Sequence, residues 1–476
     1  MSIAEEHRLS TAEAAGLLGV KPETLYAYVS RGLLSSYRTP GKRGSRFDAA
    51  EVRALAARRA GRSGRWAADQ VGPTEVDAGP QEATGGPSPG RRGGRRGGAD
   101  LVIESALTLL EPAGHLWFRG WDAVEASSAA SYERVAEWLW HPDGDAGEPP
   151  VWQARPEGLE VARSVIDRLP TGASLMDRMR VAVAAAAATD PMRHDRRPEA
   201  VVITARSIVA TVVDCLSPHP ERVAELRLDP AAPGSSAPGI VRQGSIAGRL
   251  WPALSTRRPR RAQLAMLNAA LVLLSDHELA ASTLAARVAA STWADPYLVV
   301  EAGMGVLEGP LHGGAAEDVR AMIAEVCAGL PAAEAVGRRL RQGEAVPGLG
   351  HRVYTGPDPR AAALLQMMRS SGLSSQPWAA AGRLLSVTAG QNLPAPNIDF
   401  ALAVLADTAG MVAGATEAIF AVARCAGWIA HALEEYPHRL RFRPRASYVG
   451  PPPGGEGPAV PAGGDRNGGG AARIGP

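Results

Sequence analysis

Apolar positions between residues 159 and 440 recur almost throughout at helical spacing, in Ala-rich windows such as 180–188 and 261–275 that Pro and Gly turns separate. No sustained period-two alternation and no alternation of strand with helix interrupts them. The pattern predicts a mainly α fold and excludes a doubly wound sheet. Small side chains at the apolar positions let the helices approach closely. Upstream, residues 115–121 predict a short strand or turn, followed by an amphipathic helix that ends in Val135-Ala136-Glu137-Trp138-Leu139-Trp140. Packing is the expected job of the aromatics in Trp117-Phe118-Arg119-Gly120-Trp121-Asp122.

The N-terminal sixty residues follow a different rhythm. Ser10 can cap a short helix over 11–18, whose Ala14, Ala15, Leu17 and Leu18 face inward; Gly19 ends it, and Val20-Lys21-Pro22 opens a second helix carrying Leu25, Val29 and Leu33. Two short helices around a Gly-containing turn predict a helix-turn-helix. Residues 33–47 (LLSSYRTPGKRGSRF) predict a two-strand wing that turns at Pro40-Gly41, and a third helix is expected over 48–59. Residues 61–100 lose all periodicity and predict a flexible linker, because too little apolar surface is present to offset the entropy of ordering. Residues 229–239 predict a loop or variable insertion, and 451–476 a disordered Gly/Pro tail. The expected organisation is 1–60, 61–100, 101–450 and 451–476.

Composition changes this picture little. The 476 residues are 45% hydrophobic but only 5% aromatic, so Ala, Val and Leu must build the cores. With 51 Lys and Arg against 49 Asp and Glu, the whole-chain charge selects no partner. Locally it does: residues 1–60 hold ten basic side chains against six acidic ones. Cys215, Cys327 and Cys425 are too dispersed for a disulfide framework or a zinc site. The absence of a basic and apolar leader and of a long apolar run predicts a cytosolic protein.

The N-terminal segment resembles the MerR and excisionase-like winged helix-turn-helix family, whose second helix enters the major groove while the wing touches phosphates. The resemblance implies Lys21, Thr24, Tyr26, Tyr28 and Arg31 on or beside the recognition helix, and Arg38, Lys42, Arg43 and Arg46 in the wing, with double-stranded DNA as partner. A protein-docking or dimerisation module is the alternative, and Glu23 would point a negative charge towards phosphates.

Candidate chemistry gathers around histidines. His277 follows Ser275-Asp276, His312 sits in Gly309-Pro310-Leu311-His312-Gly313-Gly314, and His351 follows Gly348-Leu349-Gly350 ahead of Asp358-Pro359-Arg360. Pro396-Asn397-Ile398-Asp399-Phe400 adds a carboxylate in a turn. Joining a carbon nucleophile made from a thioester to a ketone needs a base, a donor to the enol or enolate oxygen and a donor to the ketone. A carboxylate and two imidazoles supply that set.

In their order, these motifs resemble the citrate synthase family over roughly residues 101–450. The resemblance implies an all-helical body of large and small domains and a tricarboxylic acid cycle acyltransferase that condenses acetyl-CoA with oxaloacetate. By it Asp399 is the base, His312 the donor to the thioester oxygen and His351 the donor to the ketone. His277, Arg360, Arg424 and Arg443 bind oxaloacetate, and the Arg443 equivalent enters the neighbouring subunit's site, which implies a homodimer. Val346, Pro347, Gly348, Leu349 and Gly350 meet coenzyme A, which is a cosubstrate rather than a permanently bound group; no metal is needed. The family's usual Lys or Arg four residues past the third histidine is Thr355 here, which predicts weaker coenzyme affinity, with Arg352 or another arginine to compensate. A 2-methylcitrate synthase using propionyl-CoA, and a transcription regulator with a metabolite-sensing body, are the competing readings.

Overall fold

The computed structural model describes residues 8–11, 14, 36–38, 45–49, 52, 103–141, 148–216, 244–309, 314–438 and 442. Near the N-terminus, β1 (Arg8–Ser10), β2 (Ser36–Arg38) and β3 (Ser45–Asp48) form an antiparallel sheet in the order β1-β3-β2. The β2–β3 pairing, with Tyr37 opposite Arg46 and Arg38 opposite Ser45, is the expected wing. The third strand is unexpected: Arg8–Ser10 pairs along β3, and helical conformation begins at Thr11 directly after Ser10, where the sequence pattern starts the first helix.

A second antiparallel meander consists of β4 (Thr108–Glu111), β5 (His115–Phe118) and β6 (Trp121–Asp122). Gly114 turns the first hairpin at φ 100°, where a Cβ would be strained. The indole of Trp138 donates to the Phe118 carbonyl at 2.8 Å, and Arg119 Nε donates to the Leu139 carbonyl at 2.9 Å. With Trp121 edge-on to Trp138, these bonds give the aromatic run the packing role expected of it.

The rest is helical, as the periodicity predicts. Helices α1 (Ala123–Ala129), α2 (Tyr132–Trp140), α3 (Pro156–Ile166), α4 (Leu175–Thr189) and α5 (Pro198–Leu216) come first. Then follow α6 (Ile246–Leu254), α7 (Arg261–Leu273), α8 (Ala281–Ser291), α9 (Pro296–Leu307) and α10 (Ala315–Cys327). The last described are α11 (Ala332–Arg341), α12 (Pro359–Ser370), α13 (Gln376–Gly390), α14 (Ile398–Ala409) and α15 (Ala415–Glu435). Asp-Pro pairs start two of them: Asp295 accepts from the Tyr297 and Leu298 N–H groups, and Asp358 from that of Arg360. The expected linker, the 229–239 loop and the C-terminal tail lie outside the described residues.

Helix α15 is the axis of the body. Every residue from Ala415 to Ala432 except Glu417 is buried, and the helix packs against α2, α5, α7, α8 and α9. Its Ala-rich sequence, with Gly427 at the closest approach, permits that many close neighbours. Trp428 is fully buried on it, removing roughly 150–250 Å² from water, about 4–6 kcal/mol of burial at about 25 cal/mol per Å². The indole lies flat against Gly303 of α9, where an added Cβ would come within 2.5 Å of ring carbons. Among the described residues no helix is long and apolar enough to cross a membrane.

Two glycines of α9 make an internal comparison. Gly305 is exposed and a Cβ there meets nothing within 4 Å, so Gly305→Ala is predicted to stabilise by about 0.5–1 kcal/mol through helix propensity. Gly303→Ala gains the same propensity but collides with Trp428, and is predicted to destabilise by about 1–3 kcal/mol. Denaturant midpoints of the two variants check the pair; equal shifts would remove the Trp428 contact as the cause.

Candidate active site

Two loops and two helix starts build the site. The loop around His351 is stitched to the one that precedes Asp399. Gly350 N–H donates to the Ala395 carbonyl at 2.8 Å and Asn397 N–H to the Gly348 carbonyl at 2.9 Å, while the Asn397 amide donates to the Gly350 carbonyl at 3.0 Å. Leu349 and Pro396 form an isolated bridge between the same loops. Gly348 has φ 77°, and a Cβ on it would lie 2.7 Å from Val319 and 2.9 Å from Phe400. Only glycine fits there.

His351 accepts two backbone N–H bonds at Nδ1, from Val353 at 3.0 Å and Tyr354 at 3.3 Å. The hydrogen of the neutral ring is therefore on Nε2, and Arg360 Nη2, which can only donate, approaches that nitrogen to 3.3 Å as a contact and not as a hydrogen bond. Burial, then the positive charge of Arg360, push this histidine down to about 4, so it is a neutral donor at physiological pH. The rings of His277 and His351 lie 5.1 Å apart, edge to face. Tyr354 joins them: its ring is 4.6 Å from that of His351, and its hydroxyl is 3.2 Å from His277 Nε2. Burial pushes the phenol up to about 12 and keeps its proton in place.

Asp399 stands in the first turn of α14, where Asn397 caps the Asp399 and Phe400 N–H groups. A helix start favours a carboxylate. Burial nevertheless dominates and pushes Asp399 up to about 6, against the lowering influence of Arg360. Such a carboxylate is ionised at neutral pH yet basic enough to take a proton from carbon.

The arginines are buried in different ways. Arg360 forks onto Asp358 through Nε at 3.0 Å and Nη2 at 2.8 Å, and Asp358 also accepts the Ile398 N–H at 3.0 Å. One carboxylate thus fixes a guanidinium and the start of the helix that bears Asp399. Despite desolvation, Asp358 holds Arg360 above the ordinary arginine value. Arg424 donates through Nε to the Leu274 carbonyl at 2.8 Å and stacks on Phe420, but its buried Nη1 has no partner among the described residues. Burial brings it down to about 10, which still leaves it charged at neutral pH. An unpartnered guanidinium nitrogen in a buried setting is a place for an anion.

The structure thus brings together His277, His351, Asp399, Arg360 and Arg424. His312 and Arg443 lie outside the described residues, as do Lys21, Thr24, Tyr26, Tyr28, Arg31, Lys42 and Arg43. Arg38 and Arg46 are on the wing strands β2 and β3. In the expected coenzyme loop Val346 and Gly348 are buried, Pro347, Leu349 and Gly350 are partly covered, and Arg352 is exposed. Thr355, where the resemblance led to the expectation of a basic residue, donates through both its N–H and its hydroxyl to the Pro112 carbonyl at 3.0 Å, pinning this loop to the β4–β5 turn. Sequence reasoning missed Tyr354 and Asp358; an Asp-Pro pair is a signal from which the helix cap could have been read, but nothing in it signals the fork onto Arg360.

A family model described as citrate synthase, C-terminal domain, matches residues 99–445, and one described as a helix-turn-helix domain matches residues 8–60. The chain is 31% identical to citrate synthase 2 of Bacillus subtilis over 376 residues, covering 74% of this chain and 92% of that one. It is 27% identical to the 2-methylcitrate synthase of Mycobacterium tuberculosis over 366 residues, covering 75% and 90%. The solved citrate synthase of Pyrobaculum aerophilum superposes with a TM-score of 0.60 at 26% identity, covering 76% of this chain and 93% of that one. By the match over most of its length, this chain belongs to the citrate synthase family, transferases that condense an acyl-CoA with oxaloacetate.

Proposed function

We propose that the protein condenses acetyl-CoA with oxaloacetate and water to give citrate and CoA. One observation carries the reading: two buried guanidinium groups, one with a nitrogen unpartnered among the described residues, accompany a neutral imidazole donor and a carboxylate whose basicity burial has raised. Arg360, Arg424 and His277, with Arg443, hold the oxaloacetate carboxylates. Asp399 removes a proton from the acyl carbon next to the thioester carbonyl, and His312 donates to that carbonyl as it becomes an enol. The new carbon–carbon bond forms at the ketone, where His351 Nε2–H donates to the oxygen that gains charge. Water then hydrolyses the thioester and CoA leaves. The coenzyme lies along Val346, Pro347, Gly348, Leu349 and Gly350, with Arg352 at the exposed edge.

The active unit of this proposal is a homodimer, with Arg443 serving the partner's site. Leu298 and Val306 are exposed apolar side chains of α9, beside an open groove between that helix and α4, and they offer a face for a second copy. The proposed compartment is the cytoplasm, consistent with three cysteines that are all free thiols. The N-terminal domain is proposed to bind double-stranded DNA, supported by the helix-turn-helix match and the basic wing. A second reading, 2-methylcitrate synthesis from propionyl-CoA, is favoured by the Mycobacterium tuberculosis relative. One methylene changes selectivity by only about 1–3 kcal/mol, so either acyl group fits the same machinery.

Release of CoA thiol from acetyl-CoA or propionyl-CoA, with and without oxaloacetate, tests the reading and ranks the donors. Release is expected to require oxaloacetate and to fall by about 10²–10⁴ in Asp399→Ala; unaltered turnover in that variant would remove Asp399 from the mechanism. Separately, the double change Arg43→Ala and Arg46→Ala is expected to weaken DNA binding and to flatten its salt dependence by about 0.9 in log–log slope for each phosphate that the wing no longer neutralises. An unaltered slope would remove the wing from the DNA interface.

A further inference from the structure

Two turns of α15 separate Arg424 from His431, with Gly427 between them on the same face. The loop that leads into His277 lies along this face and is held at three consecutive residues. Arg424 Nε donates to the Leu274 carbonyl at 2.8 Å, and the Gly427 N–H donates to the Ser275 carbonyl at 2.9 Å. His431 Nε2 faces the two carboxylate oxygens of Asp276 at 3.3 Å and 3.4 Å. Position 427 has room for glycine only, since a Cβ would collide with Asp276 Oδ1 and lie 2.5 Å from the Ser275 carbonyl.

Behind His431 stands Arg287 of α8, whose Nη1 is 2.8 Å from His431 Nδ1 and 2.9 Å from Glu434. Its Nε and Nη2 meet Glu435 at 3.1 Å and 2.9 Å. The partners fix the polarity of the imidazole. A guanidinium can only donate, so Nδ1 accepts; an ionised carboxylate can only accept, so Nε2 carries the hydrogen and points it at Asp276. Asp276 also accepts from the Thr108 hydroxyl at 2.5 Å and from the Glu278 N–H at 3.1 Å. Asp276, His431, Arg287 and Glu435 are all buried. Full burial opposes ionisation of Asp276, but His431, Arg424 and the Thr108 hydroxyl outweigh it and hold this carboxyl below its ordinary value. Asp276 in turn favours the charged form of Arg424.

We infer that His431 is a positioning residue: the relay Arg287–His431–Asp276 fixes the loop that presents His277, sets a counter-charge behind Arg424, and ties strand β4 to the same carboxylate through Thr108. The inference rests on the proposed reading of His277 and Arg424 as oxaloacetate contacts. Residues 277 and 424 would touch the substrate, whereas His431 acts only through Asp276 and the loop.

Two substitutions at one position separate positioning from packing. Glutamine can accept from Arg287 through Oε1 and donate to Asp276 through Nε2, keeping the polarity, while leucine fills comparable space and makes neither bond. Calorimetric titration of the wild-type protein with oxaloacetate comes first, and absence of binding there removes the site reading and this inference with it. Given binding, His431→Leu is expected to raise the KM for oxaloacetate about tenfold, with the KM for acyl-CoA within about twofold, and His431→Gln to recover most of the loss. A folded leucine variant with the wild-type oxaloacetate KM overturns the relay and leaves the site reading standing. If the leucine variant does not fold, Thr108→Val and the nitrogen NMR shifts of His431 decide. A KM raised about threefold and a hydrogen on Nε2 support the relay; an unchanged KM or a hydrogen on Nδ1 overturns it.

Discussion

Taking two guanidinium groups out of water is the constraint on which the site depends. A buried cation is tolerated only where fixed oxygen atoms replace its hydration. For Arg360 the replacement is the fork onto Asp358. For Arg424 it is one carbonyl, the face of Phe420 and the nearby charge of Asp276, with one nitrogen left over among the described residues. The first arrangement is closed and the second is open. The same dryness acts on the neutral and acidic partners, pushing His351 down to about 4 and Asp399 up to about 6. A base and a neutral donor with opposite shifts, a few side chains apart, are what enolisation and carbonyl attack require in one pocket.

The fold serves this arrangement by tying distant segments together at single groups. Asp358 joins the start of α12 to that of α14, and Thr355 pins the His351 loop to the β4–β5 turn. The face of α15 holds the loop that carries His277. The small residues of that helix make such contact possible, because backbone can meet backbone only where no Cβ intervenes. The hairpin that opens the body is accordingly bonded to the two loops that carry His277 and His351, at Thr108 and Pro112.

Much of this was legible in the sequence. The helical period gave the fold class, and flanking glycines and a Pro/Asn turn drew attention to His351 and Asp399, whereas Arg360 and Arg424 were assigned only by the resemblance to the citrate synthase family. Their partners were not legible. Tyr354 carries no local signal of its role, which appears only when His277, far away in sequence, is brought 3.2 Å from its hydroxyl. Asp358 reads as a helix cap, which it is, but its second oxygen serves Arg360 and Ile398. Strand Arg8–Ser10 escapes notice because three residues are too few to reveal a period, and only pairing with β3 defines it. Local pattern reports element type and backbone need; which group a buried charge meets is settled by side-chain conformation and packing, whether two residues away, as for Arg360 and Asp358, or far along the chain, as for Asp358 and Ile398.

The opposite shifts of Asp399 and His351 are the centre of the account, and the pH dependence of kcat/KM for acyl-CoA at saturating oxaloacetate tests them most directly. The account predicts that the rate rises with pH through about 6, as Asp399 loses its proton, and that His351, neutral above about 4, adds no limb in that range. A plateau reaching down to the ordinary aspartate value of about 3.9 would contradict it.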